Sequence, residues 1–307
     1  MFASGAAVAV ALIVGLGTST WLFVRETRLR LQAENRERIT QAAFLIKQGL
    51  IPKADQLVSK LTELNPSVEA EGVLRTLAGW HESRNELDLA VLRYSQLLQA
   101  DELDQSRWNS ADLQLAGPLL IEQGDTQVYK HFRQVAIARL AGDFNAIDAD
   151  RILKASLLLP ADTETMKSLE PFARLAITSF DKGVKDPGYA SYLAIWSCVS
   201  LALTSYRQGD MVAAKDWCQK SLDSGYTNVF PRIAASRIIK AMACHQLGAV
   251  EEARSELAQA KKQIDNYFAA GFQPGSSTEG WRYDWLNARI LLREAEALID
   301  KAPNVEK

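Results

Sequence analysis

The feature that most constrains the fold is a spaced pattern: a small residue lies seven positions before a glycine, and an alanine lies five positions after it. The two clearest copies are Ala202–Gly209–Ala214 and Ala241–Gly248–Ala253, whose glycines are 39 residues apart (248 − 209 = 39). Earlier copies are Ala42–Gly49–Ala54, Ala78–Asn85–Ala90 and the incomplete Gly117–Gly124–Tyr129. The small residue is present in all five copies, so the pattern predicts an internal repeat.

The spacing has a simple physical meaning. Glycine or asparagine tolerates the left-handed backbone conformation that ends a helix. Seven residues earlier is two helical turns back on the same face, where a small side chain lets the partner helix approach closely. Antiparallel helical hairpins at this period stack into a solenoid. The pattern resembles the tetratricopeptide (TPR) repeat, and Asn65–Pro66 stands where that repeat often carries proline. We therefore predict an all-α, TPR-like helical-hairpin solenoid; the alternative is a non-repetitive α-bundle.

Residues 3–24 contain no charged side chain and are long enough to cross a bilayer as one helix. Trp21 and Phe23 lie at one end, and Arg25, Arg28 and Arg30 follow, which is typical of an interfacial anchor with a basic stop. A cleaved signal peptide is the alternative, but a positively charged start and a cleavage site are missing. We predict a single-pass membrane anchor that continues as a charged helix into the first hairpin.

The predicted organisation has three parts. A transmembrane anchor with its basic flank covers 1–30, the TPR-like solenoid covers 31–303, and 304–307 form a tail. Within the solenoid, the periodicity weakens over about 142–190, where a divergent hairpin is expected. A capping helix is expected over about 279–299, with Thr278 as its N-cap.

Composition and motifs argue against several kinds of site. The net charge of −2 provides no basic field for nucleic acid. The three cysteines, Cys198, Cys218 and Cys244, have no paired spacing, which favours buried inert thiols over a metal or redox site. The three histidines fall in different repeats, and no nucleotide-binding or hydrolase motif is present. We therefore predict no catalytic residue, cofactor, metal or small-molecule substrate. The alternative is an enzyme with its site in the irregular middle, 142–190.

The concave side of a solenoid, built from the first helix of each hairpin, is the usual binding surface. In the two clearest repeats this stripe predicts five residues that would contact a protein or peptide partner in the groove: Trp196, Leu203, Tyr206, Met242 and His245. The alternative is that these side chains pack between neighbouring repeats.

Several stretches resemble the region that follows the membrane span of certain bacterial transmembrane serine/threonine protein kinases. They are ITQAAFLIKQGLIPKADQLVSKL, LIEQGDTQVYKHFRQVAIARLAG, KASLLLPAD, IIKAMACHQLGAVEEARSELAQAKK and DWLNARILLREAEALI. The resemblance implies a sensing, docking or scaffolding role. It implies no catalysis, because the kinase motifs are absent from these residues. We predict a non-catalytic, membrane-anchored interaction module, or alternatively the regulatory half of such a kinase.

Two arguments about membrane orientation conflict. Five arginines (25, 28, 30, 36 and 38) follow the predicted span and no basic residue precedes it, which favours a cytoplasmic solenoid. The kinase resemblance implies the opposite side, because a kinase domain before the span needs cytoplasmic ATP. The orientation therefore stays open between the cytoplasm and the periplasm.

Overall fold

The computed structural model describes residues 3–104, 109–183, 189–270 and 282–300, and the side chains of these residues except 3–14 and 189–192. Within those ranges the chain forms α-helices and no strand, which confirms the all-α class. The thirteen helices described are α1 (Ala3–Lys47), α2 (Ile51–Val58), α3 (Val68–Ser83), α4 (Leu87–Leu103), α5 (Ser110–Glu122), α6 (Thr126–Leu140), α7 (Ala146–Ser156), α8 (Thr163–Gly183), α9 (Tyr189–Gln208), α10 (Met211–Leu222), α11 (Phe230–Gln246), α12 (Val250–Ala270) and α13 (Arg282–Ile299).

The first twelve helices pack as six successive hairpins. Each odd-numbered helix contacts the even-numbered helix that follows it, from α1 with α2 to α11 with α12. The first helices of most neighbouring hairpins also contact one another: α1 with α3, α5 with α7, α7 with α9, and α9 with α11. Between the second and third hairpins the main contact is instead that of α4 with α5.

Five of the six hairpins turn at the residues that the sequence pattern predicts. Gly49, Asn85, Gly124, Gly209 and Gly248 all have positive φ, between 59° and 87°. In each turn the next residue's N–H donates to the carbonyl five residues earlier, at 2.8–3.0 Å. The turn residue's own N–H donates to the carbonyl three residues earlier, at 2.9–3.2 Å. This is the Schellman arrangement, which satisfies the last carbonyls of the first helix.

The small residues of the pattern lie at the contact between the two helices of each hairpin. All eight alanines of the four complete copies are fully buried: Ala42, Ala54, Ala78, Ala90, Ala202, Ala214, Ala241 and Ala253. In the third copy the two positions instead differ in size, with a smaller residue before the turn and a larger residue after it. A β-carbon added at Gly117 would meet the Tyr129 ring at 3.5 Å, so the larger Tyr129 occupies space that the smaller Gly117 leaves.

The hairpin of α7 and α8, in the middle of the chain, is built differently. Its first helix begins at a capping box, in which the Asn145 side chain accepts from the Ile147 and Asp148 N–H groups while the Asp148 carboxylate accepts from the Asn145 N–H. The connection from α7 to α8 contains Pro160 and no residue with positive φ. Proline and a longer connection replace the glycine turn, which explains why the periodicity weakens here.

The first helix, α1, is continuous over 45 residues from the apolar segment into the first hairpin. Its side chains from 15 to 30 are exposed, and Asn35 is the first buried residue among its described side chains. Among the helices whose side chains are described, none is long and apolar enough to cross a bilayer. Most of the predicted span, residues 3–14, lies outside the part of the chain whose side chains are described.

The last helix, α13, departs from the expected end cap. It contacts α11 and α12, as a cap would, but it also contacts α5 of the third hairpin. Thr278, the predicted N-cap, lies outside the described residues. The helix therefore joins the end of the stack to its first half.

Candidate binding surface

The surface that holds α13, here called the α13 seat, is formed by α11 and α12 together with the last turns of α3, α5 and α9. At the α3 end, Arg282 donates from Nη1 to the Glu82 carbonyl and from Nη2 to Asn85 Oδ1, both at 3.0 Å. Asn85 is the one turn residue that is not glycine, and its side chain is the acceptor. A guanidinium at the C-terminus of a helix is favourably placed toward the helix dipole.

The carboxylate of Glu122, at the end of α5, receives two arginines of α13. Arg289 Nη2 and Arg293 Nη1 donate to Glu122 Oε2 at 2.8 and 3.1 Å. The Glu122 side chain is only 9% exposed. A carboxylate this buried needs charge partners, because burial without them costs several kcal/mol, on the order of 3–5.

A third contact joins α13 to the ends of α9 and α7. Arg207 Nη2 lies 2.7 Å from Glu294 Oε2. The same guanidinium donates to the carbonyls of Leu157 and Leu158, at 3.1 and 3.3 Å. Arg207 is nearly buried, with 5% of its side chain exposed. One arginine therefore connects three helices.

The α12 side of the seat is aromatic. Trp285 stacks on Tyr267 with ring centroids 4.3 Å apart and planes 11° from parallel. The Arg289 guanidinium lies 4.0 Å from the centroid of the Phe268 ring. Flat aromatic and guanidinium groups bury a large area with specific geometry. Trp285, Arg289 and Arg293 are four residues apart along α13, so they lie on one ridge of the helix.

The first half of α13 is buried on every side. Residues Asp284, Trp285, Leu286, Asn287 and Ala288 are all buried in succession, which cannot occur on a helix that has a solvent face. Burial raises the pKa of Asp284 to about 7, with Lys154 lowering it and Asp150 raising it. The second half is amphipathic, since Arg293 is half exposed while Ala295 and Ile299 are buried.

The five predicted contact residues divide into two groups. Leu203 and Met242 lie in the hydrophobic core, 1% and 0% exposed, which is the arrangement of the packing alternative. Trp196, Tyr206 and His245 are half-buried. Tyr206 lies near the α13 seat, where burial, together with the charge of Glu294, raises its pKa. Lys154, whose charge lowers the pKa of Asp284 in α13, sits 4.4 Å from the Trp196 ring centroid.

The cysteines and histidines hold no assembled site in the described part of the chain. Cys198, Cys218 and Cys244 are free and fully buried, and burial raises the pKa of each thiol, to about 12 for Cys198. His81 lies beside Glu86 at 2.8 Å, and His131 beside Glu102 at 3.1 Å. No group of three metal-binding side chains occurs among the described residues.

A cavity of about 310 Å³ lies between α1 and the connection from α2 to α3. Its lining includes Asn35, Arg36, Asn65 and Glu69, and no histidine or cysteine. Charges of both signs are mixed on its walls. We assign it no ligand.

No protein-family model, characterised protein or solved structure matches this chain. No function is therefore transferred from a relative, and the resemblance to the kinase-associated region stays a prediction.

Sequence reasoning missed the residues that hold α13. They are Asn85, Glu122, Arg207, Arg282, Arg289, Arg293 and Glu294. Two signals were available: the asparagine in a position where the other copies have glycine, and two arginines one turn apart on a helix that is otherwise largely apolar. Neither signal identifies the partner, because the contacts join residues 87 to 200 positions apart.

Proposed function

We propose that this chain is a non-catalytic, membrane-anchored, TPR-like solenoid that binds a protein partner. The observation that carries the proposal is the α13 seat. Side chains from α3, α5, α9 and α12 together hold a helix by stacking and by ion pairs. A surface that holds a helix within the chain has the apolar and charged groups that helix recognition requires.

The membrane part of the proposal rests on α1. An apolar segment and a hairpin helix belong to one continuous helix, so the solenoid would begin directly at the bilayer. Trp21 and Phe23 are exposed, and Arg25 lies 5.2 Å from the Trp21 ring centroid. Aromatic and basic side chains together suit the headgroup region.

Carbonate washing of membranes tests the anchor. We expect the unaltered chain to stay with the membrane and the Leu16→Arg/Leu22→Arg variant to be released. Val128→Arg, at an exposed position on α6, is the control and should stay bound. Equal retention of all three chains would contradict a membrane-spanning α1.

Site-specific photo-crosslinking tests partner binding. Benzoylphenylalanine at Trp196 or Tyr206 would lie next to the α13 seat, whereas at Lys130 it would lie on an exposed face of α6. We expect one protein to be crosslinked from the first two positions and not from the third. No crosslink, or the same crosslinks from all three positions, would contradict the proposal.

A second candidate function is the regulatory half of a membrane serine/threonine kinase. The continuity of α1 favours it, because one rigid helix would connect the solenoid to whatever lies beyond the bilayer. Sequencing the transcript upstream of Met1 tests this. A reading frame with a Gly-rich loop, H-R-D and D-F-G supports the candidate, and a stop codon directly upstream refutes it.

A further inference from the structure

We propose that α13 is an internal occupant of a helix-binding groove, and that the partner is an amphipathic helix with the ridge Trp-x-x-x-Arg-x-x-x-Arg. This inference rests on the proposed protein-binding function. The ridge in this chain is Trp285, Arg289 and Arg293. A partner with the same ridge would replace α13 on its seat.

The groups that bind the residues of this ridge come from separate hairpins. Tyr267 and Phe268, at the end of α12, receive the tryptophan and the first arginine through their rings. Glu122, at the end of α5, receives both arginines. These binding groups belong to α5, α12 and the helices beside them. None of them is part of α13.

Charge explains why the occupant must be basic at these positions. The Glu122 carboxylate is 9% exposed, and two arginines of α13 neutralise it. With α13 absent, the Glu122 carboxylate would lose both arginines and face the open groove as an unpaired negative charge. An apolar helix would therefore bind poorly, and an acidic helix would be repelled.

The exposed end of α13 is where replacement would begin. Eleven residues, 271–281, separate α13 from α12 in the sequence. The half that carries Arg293 is amphipathic rather than buried all round. An entering helix would therefore meet the Arg293 end first. An occupant of equal chemistry exchanges with α13 without a net loss of contacts, whereas an unrelated helix would have to leave the whole seat unfilled.

The test uses the full chain in detergent and a fluorescein-labelled peptide of residues 282–300. One chain is unaltered, and a second carries Arg289→Glu/Arg293→Glu, so its own helix is repelled by Glu122. The control peptide carries the same two glutamates. Fluorescence anisotropy measures binding, and far-UV circular dichroism measures the fold.

We expect the altered chain to keep the helix content of α1 to α12 and to bind the unaltered peptide at least about tenfold more tightly than the unaltered chain does, since its own α13 no longer competes. The glutamate peptide should not bind it. Glu122→Arg in the otherwise unaltered chain should invert this preference, because the chain's own α13 is then repelled and the glutamate peptide is attracted.

Three outcomes would overturn the inference: loss of helix content in the altered chain beyond the 18 residues of α13, which makes α13 an integral part of the fold; no peptide binding; or equal binding of both peptides. These results are distinguishable from failure of the proposed function. Crosslinking at Trp196 and Tyr206 would still report a partner if only the ridge were wrong.

Discussion

At the scale of single residues, two turn units depart from the common pattern, and each departure has a contact that accounts for it. Asn85 adopts φ 59° where the other four turns have glycine, and its side chain accepts a hydrogen bond from Arg282 of α13. Gly117 takes the place of a helix alanine, and the ring of Tyr129 fills the space. The Tyr129 hydroxyl then donates to the Ala155 carbonyl at 2.7 Å.

Two glycines of the third hairpin should respond oppositely to alanine. Gly117 lies in α5, where an added methyl would make ordinary contact with Tyr129 at 3.5 Å. Because alanine favours the helix more than glycine does, Gly117→Ala should either raise the free energy of unfolding or lower it by less than about 1 kcal/mol. Gly124 has φ 87°, so Gly124→Ala should cost about 1–2 kcal/mol. Urea unfolding measures both, and equal effects would contradict the assigned turn.

The close helix crossing in the sixth hairpin should not accept a larger side chain. Ala241 is fully buried, so Ala241→Leu should destabilise by about 1–3 kcal/mol through forced strain. Ala258 is exposed on α12 of the same hairpin, and Ala258→Leu is the control, with an effect within about 0.5 kcal/mol. Coincident denaturation midpoints for the two variants would refute the packing.

The buried carboxyl of Asp284 should make stability fall as pH rises. Its pKa increases from the ordinary 3.8 to about 7 on folding, so the folded state holds its proton in the interval where the unfolded state has lost it. The stabilisation is complete below about pH 4 and is lost as pH rises to about 7, a change of about 4 kcal/mol.

Asp284→Asn removes this titration while keeping the shape of the side chain. The difference in unfolding free energy between the unaltered chain and the variant, measured by urea titration from pH 4 to 8, should fall across the window and level off above it. A difference that does not vary with pH would contradict the burial of a protonated Asp284.

At the scale of helices, ion pairs join the second helices of neighbouring hairpins. Arg93 binds Asp55, 38 residues away, and Lys215 binds Glu252, 37 residues away. The first pair is largely buried, with Arg93 2% exposed, and the second is about one-third exposed. Each separation is within two residues of the spacing between the two turns concerned, 36 from Gly49 to Asn85 and 39 from Gly209 to Gly248, so each pair joins neighbouring hairpins.

The two pairs should differ greatly in their contribution to stability. Arg93→Ala leaves the Asp55 carboxylate and the Ser59 hydroxyl without their guanidinium and should cost about 3–5 kcal/mol. Lys215→Ala is the matched change at an exposed pair and should cost less than about 1 kcal/mol. Thermal unfolding of both variants checks the ranking, and an equal loss would show that burial does not separate the pairs.

The sequence predicts the hairpins well and the position of α13 poorly, for one physical reason. The turn at Gly209 and the contact of Ala202 with the next helix are local, so spacing along the chain encodes them. Contacts such as Arg289 with Glu122 are 167 residues apart, and amphipathicity shows only that α13 needs a partner surface. Leu203 and Met242 share the period of the concave stripe, and that period does not distinguish a groove residue from a core residue.

At the scale of the whole molecule, the side of the membrane on which the hairpins lie can be measured with a single cysteine. The five arginines after the predicted span favour the cytoplasm, so Ala258→Cys should react with a membrane-impermeant maleimide only after permeabilisation. The native thiols are fully buried and should contribute little labelling. Labelling of intact cells would place the hairpins outside and agree with the kinase resemblance.

The seat of α13 also has a mechanical consequence. A row of stacked hairpins deforms elastically, because each contact between neighbouring hairpins allows a small rotation. Here α13 runs across the stack and is bound to α3, α5, α9 and α12. A force that separates the second hairpin from the sixth must first break the arginine contacts. The stack therefore resists extension until these contacts break, and it extends more easily afterwards. If the force is applied through α1, the first contact to bear it is the one between the first and second hairpins, which Arg93 holds.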